Sequence, residues 1–256
     1  MKYANPVKDK LAAGEVVIGC FVPPPSPEIV EIIALAGFDF VLIDAEHGPI
    51  SPQSAYPMIL AAEAHDIPAF ARIGEIDKQV ILKFLDLGIA GVMAPQVNSA
   101  EQAEAAIAAT KYYPRGNRGI ANSRSFEYGL RGTLSELAPV INDRILTMIQ
   151  FEHIDTLSEL DAILDIPDLD MIFVGPNDLA QSMGLAGFPT HPDVTRVGDE
   201  VVARAKARGI KVGTVAGDVA GCKVAVDRGF DMIVANAPVL LAQAAKQFAQ
   251  AFHERS

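Results

Sequence analysis

Tryptophan is absent from the chain, and cysteine nearly so: Cys20 and Cys222 are the only two, and no Cys-x-x-Cys occurs. A disulfide scaffold is therefore excluded and a reducing cytoplasm is the expected home. No apolar run reaches the roughly 18 residues that a membrane helix requires. The opening segment MKYANPVKDKLAAGE is too polar for a signal peptide, so a soluble protein is expected and no membrane partner. Positive charge is also scarce, with 21 Lys and Arg against 32 Asp and Glu, a net of −11. Phosphate-rich partners reward a basic face, so nucleic acid is not an expected partner. Gly-x-Ser-x-Gly, a Walker loop and His-Glu-x-x-His are all missing.

What is present is alternation. The chain has 256 residues, 50% of them hydrophobic, enough for one large core. Short β-branched or aromatic runs recur at 16–21, 38–44, 68–73, 90–95, 144–152, 170–175, 210–216 and 231–236. Each is followed by a polar or Gly/Pro cluster and then a stretch of helical period. The stretch at 27–37 places Ile29, Ile32, Ile33 and Ala36 on one face and stops at Gly37; 76–88 and 219–229 end on glycine in the same way. Eight parallel βα units over about 250 residues predict an α/β fold, a (β/α)8 TIM barrel occupying 1–256 as a single domain, with an N-terminal helix before it. An open doubly wound sheet is the rival, but it expects a Gly-rich phosphate turn after the first strand. Residues 20–28 are Pro-rich there and lack the amide donors. The long connection 112–143 reads as a lid or an interface segment. The final helix is apolar on more than one side, which suits packing in an oligomer.

Barrel chemistry gathers where strands end. The strand ends carry Asp44, Glu46 and His47, then Arg72, Gln96, Gln150 and Glu152, and finally Asp178. Lysine is scarce at these positions, which disfavours a Schiff base as electron sink and leaves a divalent metal as the better candidate. Glu152 and Asp178 follow adjacent strands, and two carboxylates leave open positions on Mg²⁺ or Mn²⁺ for the carboxylate and keto oxygens of a 2-oxo acid. On spacing alone Glu152 reads equally well as a solvated loop charge, and Asp178 as part of a helix start. A helix opening at Pro176 or Asn177 also aims N–H groups at an anion. His47, clustered with Asp44 and Arg72, is a candidate base, and Arg72 a candidate for steadying an oxyanion. Asp86 sits in the last turn of a helix, where a carboxylate opposes the dipole. That placement hints at a partner, such as a histidine across a subunit boundary, although an exposed Asp is the bland alternative. His65, His153, His191 and His253 have no comparable setting. The string GLAGFPTHPD (184–193) reads as a surface loop and 117–119 as a turn.

The segments FDFVLIDAEHGP, ARIG, LDLGIAGVMAPQV, YYPRGNRG, MIQFE and FVGPNDLAQSMG together resemble the HpcH/HpaI aldolase family. The resemblance implies a (β/α)8 barrel performing reversible, metal-dependent (class II) aldol cleavage of 4-hydroxy-2-oxo acids to pyruvate, or a related 2-oxo acid, and an aldehyde. It implies Glu152 and Asp178 as ligands of Mg²⁺, Mn²⁺ or Co²⁺ and His47 as general base. Arg72 falls on the transition-state arginine, and Asp86 on the acid that raises the histidine's basicity. Gln150 and Asn177, with Gly175 and Pro176, fall at the substrate. It also suggests a hexamer. Ala45, Gly48, Asn177 and His153 depart from the family pattern without removing a catalytic group, and Asn177 and the 112–143 segment are expected to shape the aldehyde end of the pocket. Two other readings remain: decarboxylation of oxaloacetate at the same site, and a barrel that binds a metal–oxo acid complex without turnover.

Overall fold

The computed structural model describes residues 4–253. Eight strands form a closed parallel barrel in sequence order: β1 (Val17–Val22), β2 (Phe40–Asp44), β3 (Ala69–Arg72), β4 (Gly91–Ala94), β5 (Leu146–Phe151), β6 (Met171–Val174), β7 (Lys211–Val215) and β8 (Met232–Asn236). Each lies within two residues of its predicted run, because the apolar stretch slightly outlasts the hydrogen-bonded ladder. The (β/α)8 expectation is met, and the doubly wound alternative is not.

The first helix, α1 (Pro6–Ala12), plugs the base of the barrel with Val7 and Leu11. Asn5 fastens it there, accepting from the Lys8 N–H at 3.3 Å while its amide donates to the carbonyls of Ala90 (3.1 Å) and Arg144 (2.9 Å). The remaining helices are α2 (Pro27–Leu35), α3 (Pro52–Ala64), α4 (Lys78–Asp86), α5 (Ala100–Thr110), α6 (Leu134–Arg144), α7 (Leu160–Leu164), α8 (Pro176–Ser182), α9 (Pro192–Lys206), α10 (Val219–Asp227) and α11 (Ala237–His253). Gly37, Gly88 and Gly229, read as helix stops, adopt φ of 90°, 90° and 91°, the left-handed conformation that only glycine takes without strain.

The barrel interior is filled by a pairing of large and absent side chains. Register sets Gly19 beside Phe40, Gly91 beside Phe70, and Gly213 beside Phe173 on neighbouring strands. A Cβ on Gly19 would stand 2.0 Å from the Phe40 ring, and one on Gly213 would stand 2.6 Å from Phe173. Three phenylalanines thus occupy volume that three glycines vacate, closing the interior as a packed core.

Three expectations are corrected. In α2 the buried residues are Val30 and Ile33, while Ile32 is 63% exposed. The face turned to the core is Val30 and Ile33 with Ile29 partly buried against it, not the predicted stripe. The 112–143 connection, read as a lid or an interface segment, is excluded as a lid by its place at the base. It contains a 3-10 turn at Arg124–Gly129 and α6, opened by a Thr133–Glu136 capping box that outweighs the internal Pro139. It follows α5, which ends at the base, so it packs there: Arg124 donates to Glu63 of α3 (3.0 Å) and to the Leu87 carbonyl (2.7 Å). Arg118, read as part of a turn, is buried and anchors this segment.

α11 diverges from the barrel. Ala237 is its buried residue, and Leu241, Phe248 and Phe252 are 68%, 82% and 69% exposed. Its first turn, with Ala237 and Leu240, packs at the seam between β8 and β1, where Cys20, Val22 and Ile233 are buried and Ile18 of β1 is exposed. Among the described residues no helix is long and apolar enough to cross a membrane.

Candidate active site

Four strand ends assemble the mouth of the barrel. Asp44 closes β2 and Arg72 closes β3, directly opposite each other in register. Arg72 Nε donates to Asp44 Oδ1 at 2.9 Å and Nη2 donates to Oδ2 at 2.6 Å, both groups buried. The guanidinium also lies over the Phe21 ring, 4.4 Å from its centroid. Bidentate pairing and stacking leave it no rotational freedom, so the cation is fixed in advance of any reaction.

Asp44 also organises the loop after β2. Its Oδ1 accepts the N–H groups of Glu46 and His47, each at 3.2 Å. The turn lifts the His47 imidazole into the opening, where its side chain is 61% exposed and its Nε2 stands 3.9 Å from Glu46 Oε2. Glu46 turns inward, with Oε2 lying 3.3 Å from Arg72 Nη1 but outside hydrogen-bond geometry.

Glu152 stands one residue beyond β5 and is buried. Its Oε1 accepts the Gln96 N–H at 2.6 Å, and its Oε2 accepts a short hydrogen bond from the Gln150 amide. The Gln96 amide reaches it because that residue is left-handed, at φ 53°. Burial pushes the Glu152 carboxyl up to about 7, with the Glu46 and Asp178 carboxylates pushing the same way against the two hydrogen bonds. Asp178, in the first turn of α8, is exposed at the mouth beside Asn177, and no side chain caps that helix. Gly175 provides clearance, since a Cβ there would lie 3.1 Å from Gln150 Nε2 and from Glu152 Oε2.

These residues fit a divalent cation. Glu152 is a carboxylate held buried beside two others, an arrangement that disfavours its charge unless a cation offsets it. Glu46 Oε2 and Gln150 Oε1 are buried oxygens without hydrogen bonds. The donor set is all oxygen, as Mg²⁺ or Mn²⁺ prefers. Among the described residues no three His, Cys, Asp or Glu side chains form a ready cage. Two carboxylates with remaining positions open to substrate and water are what substrate chelation requires.

A cavity of about 530 Å³ opens on this mouth and takes in His47, Arg72, Gln150, Gly175, Pro176, Asn177 and Asp178. Asp44 and Glu152 do not line it themselves but lie behind Arg72 and Gln150, to which they are hydrogen-bonded, while Asp86 lies elsewhere. That residue ends α4, at the base of the barrel, where Arg118 Nη2 donates to its Oδ1 at 3.0 Å. Nothing from 112–143 lines the cavity of its own chain. Pro189 and Thr190, read as plain surface loop, line the wall instead. Glu46 and Gln96 stood at strand ends in the sequence without a role. The inward turn of one and the left-handed backbone of the other leave no composition signal.

Residues 17–237 match the HpcH/HpaI aldolase/citrate lyase family. The chain belongs to that family. It is 32% identical over 254 residues to a hydroxypyruvate/pyruvate aldolase of Cupriavidus necator, covering 98% of this chain and 93% of the relative. It is 35% identical over 215 residues to a pyruvate aldolase of Rhizobium etli, with 84% of each covered. An HpcH/HpaI aldolase/citrate lyase family protein from Burkholderia cenocepacia J2315 superposes with a TM-score of 0.91 at 28% identity, covering 98% of this chain and 100% of that one. The chain is therefore a carbon–carbon lyase of the aldolase type, and its mouth is the place to look for that chemistry.

Proposed function

We propose that this family member reversibly cleaves a 4-hydroxy-2-oxo acid to pyruvate, or a related 2-oxo acid, and an aldehyde, with the divalent ion Mg²⁺, Mn²⁺ or Co²⁺ held by Glu152 and Asp178. The observation that carries this is the buried Glu152 carboxyl, raised to about 7 by burial with the Glu46 and Asp178 carboxylates pushing the same way, beside a mouth that also presents a fixed guanidinium. A divalent cation there supplies Lewis-acid polarisation of the keto oxygen and positive charge where the enolate forms.

The remaining work falls to the chain itself. Arg72, immobilised by Asp44, stabilises the oxyanion without reorganising during reaction. His47 takes the proton from the C4 hydroxyl as the C3–C4 bond breaks, directly or through one water, and its exposed position lets it exchange that proton with solvent. Gln150 and the Gly175–Pro176–Asn177 turn orient the 2-oxo acid. A chelator is expected to abolish pyruvate release from 4-hydroxy-2-oxo acids, and added Mg²⁺, Mn²⁺ or Co²⁺ to restore it. Turnover that survives chelation overturns the reading.

The chain also acts as a homo-oligomer, a hexamer. Support comes from α11, which presents Leu241, Phe248 and Phe252 to solvent. Asp86, a partly exposed carboxylate gripped by Arg118 at the far end of the barrel, acts across a subunit boundary to raise the basicity of the partner's His47. The free thiols Cys20 and Cys222 suit a reducing cytoplasm, and burial pushes the Cys20 thiol up to about 12, out of reactive range.

A further inference from the structure

The cavity continues past the proposed oxo acid site towards the ends of β7 and β8, where the aldehyde half must lie. Its wall there is Ala216, Gly217, Val239, Pro189, Thr190 and Asn236, small, apolar or neutral polar groups. Two guanidinium groups reach the cavity, and both are already committed. Arg72 is held by Asp44 at 2.6 Å and faces Glu46 at 3.3 Å. Arg228 donates to Asp199 at 2.9 Å and to the Thr195 carbonyl at 3.0 Å. Among the described residues no lysine lines the space.

The backbone offers an anion no better welcome. The N-terminus of α10 is closed by its own carboxylate, since Asp218 Oδ1 accepts the Gly221 N–H at 2.7 Å. The N-terminus of α11 is closed by the Asn236 side chain, which accepts the Val239 N–H at 3.3 Å. At both helix starts beyond β7 and β8 a side chain thus already takes an amide, and the uncapped start of α8 lies on the oxo acid side. The mouth carries Asp44, Glu46, Glu152 and Asp178 against Arg72 and the proposed divalent cation, a balance that is still negative. A bound 2-oxo acid adds another negative charge, so a second anion on the aldehyde would be repelled in a partly desolvated space.

We infer that the aldehyde is uncharged, apolar or hydroxylated, and carries neither carboxylate nor phosphate. This rests on the aldol reaction proposed for the same site. In the synthetic direction C3 of pyruvate gives up a proton to the base and its electron pair forms the C3–C4 bond. The carbonyl π pair of the aldehyde moves to oxygen, which takes a proton to become the C4 hydroxyl; cleavage is the reverse, with no redox change.

The test uses the full chain loaded with Mg²⁺, pyruvate in excess, and matched aldehydes: succinic semialdehyde against its methyl ester, and glyceraldehyde 3-phosphate against glyceraldehyde. The neutral member of each pair is expected to show kcat/KM at least about tenfold higher. Equal or better use of the charged members overturns the inference. Exchange of the pyruvate methyl protons with D₂O, followed by NMR without aldehyde, separates the two levels. Exchange that persists while charged aldehydes are preferred removes this inference alone, whereas loss of exchange removes the aldolase reading and this one with it. Thr190→Lys, on an exposed wall position, is expected to shift the ratio towards succinic semialdehyde by about fivefold or more. An unchanged ratio puts the aldehyde elsewhere and counts against the proposal.

Discussion

Asp44 and Arg72 face each other across the β2–β3 ladder and make two parallel hydrogen bonds, of 2.9 and 2.6 Å, where a buried cation meets the opening. Removing one partner leaves the other charge buried without compensation. Asp44→Asn is therefore expected to destabilise the protein by about 3–5 kcal/mol, read by denaturant titration. Arg72→Lys keeps the charge but loses the fork, and kcat is expected to fall ~100-fold or more with a smaller change in KM. Retention of wild-type kcat in the lysine variant argues against the oxyanion role.

Metal binding is expected to be visible without turnover. Mg²⁺ or Mn²⁺ at about 100 times its Kd should stabilise the folded chain by about 2.7 kcal/mol, measured as a shift in thermal midpoint. Glu152→Gln and Asp178→Asn are expected to melt cooperatively and to lose that shift. A shift that survives in both variants places the ion elsewhere.

The Glu152 carboxyl gives this binding a pH dependence of definite sign. Its value in the fold is about 7, above the ordinary 4.5, so the metal-free fold gains from the protonated form. That contribution is complete below the unfolded value of 4.5 and is lost as pH rises through about 7. Metal binding needs the ionised form, so apparent affinity is expected to improve about tenfold between about pH 6 and about pH 8, with proton release seen by calorimetry in two buffers. A flat profile would mean that Glu152 is already ionised and is not the coordinating group.

The glycine–phenylalanine pairing inside the barrel predicts a compensated double substitution. Gly19→Ala puts a methyl 2.0 Å from the Phe40 ring and is expected to cost about 1–3 kcal/mol. Phe40→Leu in the same chain is expected to recover part of that loss, giving a favourable coupling term in a double-mutant cycle.

The association surface is testable by charge. Leu241→Glu with Phe248→Glu on α11 is expected to lower the solution mass measured by light scattering while far-ultraviolet circular dichroism stays unchanged. A monomeric wild-type protein would remove the oligomer from the account.

Much of this molecule could be read before any coordinates. Alternation of apolar runs with glycine-stopped helices gave all eight strands, because both signals are local: side-chain period and the left-handed stop at Gly37, Gly88 and Gly229. His47, Arg72, Gln150, Glu152 and Asp178 were legible for a related reason, since a closed barrel converts "last residue of a strand" into "member of one mouth". The contributions of Gln96 and Glu46 were not, because a backbone torsion and a rotamer leave no composition signal. The 112–143 segment was misplaced because loop length says nothing about which end of a barrel it decorates; that depends on the direction of α5. Asp86 shows a different limit, since its neighbour Arg118 comes from a stretch 32 residues away that reads as an ordinary turn.

The outward course of α11 beyond its first turn bears on how the protein endures dilution. Where the exposed Leu241, Phe248 and Phe252 meet another copy, as the proposed oligomer requires, part of the stability becomes a matter of mass action and not of the single polypeptide alone. Thermal midpoints recorded at nanomolar and at millimolar protein would then describe two different objects, one with a greasy helix flank open to water and one with it sealed.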